Sequence, residues 1–217
     1  MPGQFDPAPT HGVPAHFRVL RDRTRPGAVG RVLEAELLRG PGAPRRVALR
    51  LAPAEHADET LAELAVLAEV DHPGLARPLD FGAAPDGGVY VAREWIEGVE
   101  LNTWARGRSP RELAALVARL CLALEYVHRR GFVHADLKAS NVIVASTDEG
   151  PRAVLTDFGL ARRRGAAGDG LAGTLFHLAP EALLGAPPQP AADLFALGVM
   201  LHELCVGRRA PAREFYG

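Results

Sequence analysis

The segment HADLKASNVIV, residues 134–144, places a carboxylate, an ammonium and a carboxamide within a few residues of one another: Asp136, Lys138 and Asn141. A second carboxylate, Asp157, follows the apolar run AVLT in TDFGLA. Phosphoryl transfer asks for this set. The attacking hydroxyl needs a carboxylate to orient it and accept its proton. A divalent metal needs oxygen ligands, and the moving phosphoryl needs a cation beside it. Read in this way, Asp136 faces the hydroxyl, Asn141 and Asp157 share a metal, and Lys138 is the point charge. Lys138 is the one lysine in the chain; the other 24 of the 25 Lys+Arg residues are arginines. A compact ammonium fits beside a reacting carboxylate, where a broad guanidinium fork would crowd the atoms.

Bulk properties narrow the classes around this chemistry. The chain has 217 residues, enough for one large domain or two small lobes. A net charge of −1 gives no general pull toward nucleic acid or membrane. Its two cysteines, Cys121 and Cys205, sit in apolar helix-like stretches and read as buried thiols. No apolar run has the length to span a bilayer. The Pro/Gly-rich start MPGQFDPAPTHGVPAH has no signal-peptide pattern and reads as a flexible leader over 1–16, so the expected setting is cytoplasmic. The bias toward Arg, Ala, Gly and Pro matches a GC-rich genome.

The elements that must hold these residues follow from pattern. Residues 17–51 alternate short apolar runs with glycine and proline and predict three strands. Residues 55–70 carry Leu61, Leu64, Leu67 and Val70 at helical spacing, and Pro73-Gly74 ends that helix. Two more strand-like runs, LARPLDFG and GVYVAREWI, flank a turn. Ser109-Pro110-Arg111-Glu112 is a capping box that opens a long apolar helix reaching about Arg130, with Gly131 as its stop. Another helix is predicted near 191–206. A mostly β first half and a mostly α second half argue for an α+β protein of two lobes. The boundaries are 17–93 for the first lobe, 94–108 for a connector and 109–217 for a partial second lobe.

HADLKASN, DFGLA, GTLFHLAPE and DLFALGVMLHEL, in this order, resemble the catalytic loop, metal loop, activation-segment end and following helix of protein kinases. The resemblance covers about residues 17–210, and the D-L-K-x-x-N form and composition are similar to bacterial Ser/Thr members. It implies a two-lobed protein-kinase-like fold, ATP and Mg2+ as cofactors, and a protein substrate. By resemblance Asp136 is the base, Asn141 and Asp157 are the magnesium ligands, and Thr174 bonds to Asp136 and Lys138. Asp193 takes the place of the acid that braces the catalytic loop. Gly27, Gly30 and Val32 match the end of the phosphate-covering loop. Ala48 and Val32 lie on one side of adenine and Ile143 on the other. Glu94 and Ile96 offer it backbone groups, Glu100 meets the ribose, and Glu63 pairs with the strand cation.

Several positions depart from the family pattern. Arg25 replaces the first loop glycine, and Arg50 replaces the strand lysine that positions the α- and β-phosphates. Ala135 replaces the arginine that grips a phosphorylated activation loop. Thr174 is the only hydroxyl residue between Asp157 and Glu181, so receptor and phosphate are missing together and activity should not depend on phosphorylation there. Arg93 stands behind the adenine, where a small or apolar residue is usual; a buried cation there calls for a carboxylate partner or an outward-bent side chain. Leu175 and His177 also differ. The chain stops at Gly217, where the family continues with further helices, which suggests a fragment, a shortened product, or a partner covering the partial C-lobe. Two functions stand side by side: an ATP–Mg-dependent Ser/Thr protein kinase, and a pseudokinase serving as a nucleotide-binding or protein-interaction module. Arg25, Arg50, Arg93 and the short C-terminus favour the second.

Overall fold

The computed structural model describes residues 11–25, 29–166 and 177–207. Gly27, Thr174 and Leu175 lie outside the described residues, as do 1–10 of the leader. The chain divides into two compact units. One comprises residues up to 64 together with 77–95; the other comprises 65–76 and everything from 96 onward.

In the first unit, strands β1 (Phe17–Asp22), β2 (Arg31–Leu37) and β3 (Arg45–Ala52) follow one another. Helix α1 (Ala57–Glu69) comes next, then strands β4 (Pro78–Ala83) and β5 (Val89–Glu94). The strands form one antiparallel sheet in the order β1-β2-β3-β5-β4. Register and the two-residue repeat of a strand divide its side chains between two faces. Leu33, Leu49 and Ala92 lie in one cross-strand row, and all are fully buried with Phe17, Ala35, Val47 and Tyr90. Each large apolar side chain so buried contributes roughly 1.5–3 kcal/mol.

The opposite face is built differently. Its rows are Val32-Arg50-Val91 and Glu34-Ala48-Arg93. Glu34 is buried yet paired, accepting from Arg23 Nε and Nη2 at 3.0 and 2.6 Å and from Arg46. Burial works against its ionised form, but these guanidiniums prevail and hold its carboxyl below the usual range.

The second unit contains short strand β6 (Gly98–Glu100), the one-turn helix α2 (Leu101–Trp104) and the long helix α3 (Pro110–Arg129). Strands β7 (Phe132–Val133), β8 (Val142–Thr147), β9 (Gly150–Leu155) and β10 (Arg162–Arg163) follow. Helices α4 (Pro180–Leu183) and α5 (Pro190–Val206) complete it. The capping box forms: Ser109 N donates to Glu112 Oε2 at 2.9 Å, and Glu112 N donates to Ser109 Oγ. Leu113, Leu116, Leu120, Leu124 and Val127 make the buried stripe of α3, and Gly131 follows with φ 82°. The core adds Val66 and Leu67 from the end of α1 and Val70 just beyond it, together with Phe132, Leu155, Phe158 and Met200. Pattern reading took 94–108 as a connector and the second half as mostly α; the structure adds β6 and α2 there, and a β8–β9 hairpin beyond. VIVAST is β-branched and too short for a stable helix, so pairing with GPRAVL satisfies its backbone.

Candidate active site

The loop 134–141 is shaped by a buried acid. Asp193, in the first turn of α5, accepts the backbone N–H of His134 at 2.8 Å and that of Ala135 at 2.9 Å. Its Oδ2 also lies 2.7 Å from His128 Nε2, in the last turn of α3. These bonds hold Ala135 at φ 64°, a left-handed conformation that costs an L-residue roughly 1–2 kcal/mol. Charge-assisted bonds to a carboxylate outweigh that cost. His134 is fully buried and packs on Phe158 with ring centroids 4.8 Å apart. Burial pushes its imidazole below the usual range, against the opposing pull of Asp193, Asp157 and Asp136. The neutral ring accepts from Asp136 N through Nδ1 at 3.4 Å.

Asp136, Lys138 and Asn141 converge. Lys138 Nζ donates to Asp136 Oδ2 at 2.6 Å. Asn141 Nδ2 donates to the same oxygen at 3.1 Å and to the Asp136 carbonyl at 2.9 Å. The amide nitrogen is thereby committed, and the carboxamide oxygen is left as the ligand-type atom.

Strand register brings Asp157 to this loop. Val142 opens β8 and pairs with Leu155, which closes β9. Asn141 and Thr156 are therefore neighbours, and Thr156 donates to the Asn141 carbonyl from N at 3.0 Å and from Oγ1 at 3.3 Å. Asp157 comes next, its Oδ1 accepting from Gly159 N at 3.1 Å. Two oxygen donors of the kind magnesium takes thus sit on hydrogen-bonded segments. Among the described residues no group of three or more His, Cys, Asp or Glu could hold a metal.

In the first unit, Arg50 Nη1 donates to Glu63 Oε2 at 3.0 Å. Glu63 is wholly buried, and its Oε1 meets Arg93 Nη2. Arg93 therefore takes a carboxylate partner. Gly30 has φ +77°, and a Cβ there would lie 2.2 Å from the Leu51 carbonyl, so the close strand approach requires glycine. Val32 and Ala48 share the charged face with Arg50. Glu94 closes β5, its N–H donating to the Arg77 carbonyl and its Oε1 accepting from Arg77 N. In the second unit, Ile96 lies between β5 and β6, and Glu100 pairs with Ile143 across β6 and β8.

Compared with known sequences, residues 27–214 match the family described as the protein kinase domain. The chain belongs to the protein kinase family. It is 32% identical over 182 residues to the serine/threonine-protein kinase PknA of Mycobacterium tuberculosis, covering 76% of this chain and 42% of that protein. To the serine/threonine-protein kinase pkn2 of Myxococcus xanthus it is 32% identical over 207 residues, covering 88% of this chain and 24% of that one. To the human calcium/calmodulin-dependent protein kinase type 1B it is 33% identical over 196 residues, 87% and 56% of the two chains. The chain thus spans less than half the length of the two bacterial relatives.

Two further residues of this kinase domain, His128 and Glu203, escaped sequence reading. His128 joins Asp193 across 65 positions of chain. His177 Nε2 lies 3.4 Å from Glu203 Oε2, and burial lowers its pKa while Glu203 and Asp136 oppose the shift. The available signal for His128 was a polar side chain in the last turn of α3 beside its apolar stripe. For Glu203 no local signal existed. Among the described residues, no helix is long and apolar enough to cross a membrane.

Proposed function

We propose that this chain is a catalytic domain that transfers the γ-phosphoryl group of ATP to serine or threonine hydroxyls of a protein substrate. The observation that carries this reading is the cluster at Asp136, whose Oδ2 accepts from both Lys138 Nζ and Asn141 Nδ2. Asp136 orients the hydroxyl and takes its proton. Lys138, already paired with that carboxylate, offers a compact positive charge beside the reacting atoms. Asn141 and Asp157 would hold magnesium, whose chemistry when bound would be to offset phosphate charge. Arg50, oriented by Glu63, serves the nucleotide phosphates. The assignments of Gly27, Gly30, Val32, Ala48, Glu94, Ile96, Glu100 and Ile143 to nucleotide contact, and of Thr174 to Asp136 and Lys138, belong to the same proposal, as do the lobe boundaries.

Transfer of labelled phosphate from ATP–Mg to a protein acceptor tests the reading. Wild-type protein should label the acceptor and Asp136→Asn should not. Labelling that survives in Asp136→Asn removes Asp136 from its role. The second reading, a non-catalytic module, is favoured by Arg50 at the lysine position. ATP-dependent thermal stabilisation without any phosphate transfer would establish it.

A further inference from the structure

Arg93 is among the few buried charged residues of the described part of the chain, with a side chain only 9% exposed. Such a guanidinium carries a desolvation cost of several kcal/mol unless it is paired. Its position is set by register. Arg93 lies opposite Ala48, and Arg50 lies opposite Val91, so both guanidiniums leave the same face of the sheet from adjacent strands. Both meet Glu63. Arg50 takes Oε2 and Arg93 takes Oε1.

One carboxylate therefore bridges two cations, one through each oxygen. Held at a single oxygen, a carboxylate still turns about its last torsion, and the cation turns with it. The second guanidinium removes that rotation and fixes the carboxylate plane. Arg50 needs this more than a lysine would. An ammonium donates equally well in three directions, while a guanidinium works only when its plane is aimed.

We propose that Arg93 is a positioning residue for the nucleotide phosphates, acting through Glu63 on Arg50. This rests on the assignment of Arg50 to the phosphates given above. It also gives a reason for two departures from the family pattern to occur together: the arginine in β3 and the arginine in β5 share one acid.

The test measures ATP–Mg affinity with a fluorescent nucleotide, and KM and kcat for transfer, in Arg93→Met, Arg93→Lys, Arg50→Ala and the double variant Arg50→Ala/Arg93→Met. Arg93→Met should weaken ATP binding and raise KM for ATP about tenfold, with a smaller change in kcat. Arg93→Lys, which retains a cation for Oε1, should recover most of that loss. In the Arg50→Ala background, Arg93→Met should change ATP affinity less than about twofold, because the residue it acts through is gone. If Arg93→Met fails to fold, Arg93→Gln replaces it, with an expected loss of the same sign. Unchanged ATP affinity in folded Arg93→Met or Arg93→Gln overturns the proposal, as does an effect that multiplies fully with Arg50→Ala. Absence of ATP binding by the wild-type protein would instead overturn the function proposed above, and this inference with it.

Discussion

Asp193 Oδ1 accepts the backbone N–H of Ala135 at 2.9 Å, joining the start of α5 to the loop that carries Asp136. The contact spans 58 positions of chain and sits beside a residue held at positive φ. A helix N-terminus also favours a carboxylate there. Asp193→Ala removes the acceptor for two backbone N–H groups and for His128. Chemical denaturation should show a loss of about 3 kcal/mol. A loss below about 0.5 kcal/mol would mean that the loop holds its shape without this acid.

Lys138→Arg tests why one lysine persists in an arginine-rich chain. Nζ meets Asp136 Oδ2 at 2.6 Å; a guanidinium could make a contact of that length, but its longer stem and planar fork would place the charge and its other donors differently around the carboxylate. We expect kcat to fall about tenfold or more while ATP affinity changes little. Retention of wild-type kcat would show that charge alone suffices at this position.

Glu63→Gln removes the charge that Arg50 and Arg93 share. Breaking a buried ion pair by removing one partner typically costs about 3–5 kcal/mol. Equilibrium unfolding should show a decrease of that order, accompanied by weaker ATP binding. A stability equal to wild type would mean that the buried guanidiniums are compensated elsewhere.

Stability should fall in mildly acidic solution because of His134. Its folded-state pKa is depressed by burial below the ordinary 6.5, so below that pH the unfolded chain takes up a proton that the folded chain refuses. The contribution is present above about pH 6.5 and is lost progressively as pH drops from there toward the folded-state value. His177 is shifted in the same direction, also chiefly by burial, and adds to the trend. The melting temperature should therefore be lower at pH 5.5 than at pH 7.5. His134→Phe, which can still stack on Phe158, should reduce the difference. An identical slope in that variant would assign the effect to other groups.

Much of the architecture could be read from periodicity. Alternation in 17–51 and 78–94 encodes the strands, because every second side chain must reach an apolar face. Ser109, Pro110 and Glu112 encode the start of α3, because a capping box is completed within four residues. The grouping of Asp136, Lys138 and Asn141 was equally local, since a loop of that length keeps them close. The short pieces β6 and α2 escaped because each is stabilised by what it packs against, with too few residues to display a period.

Local order in the chain was thus enough to point to the family, the strands of the first unit, the helices α1, α3 and α5, and candidate residues for phosphoryl chemistry. Packing alone assigned these ionisable side chains to one another. Arg93 to Glu63, His128 to Asp193 and His177 to Glu203 are pairs between segments far apart in sequence. No periodicity links such segments. Each pair exists because folding takes both polar groups at least partly out of water together, and the cost of leaving either one alone selects the partner.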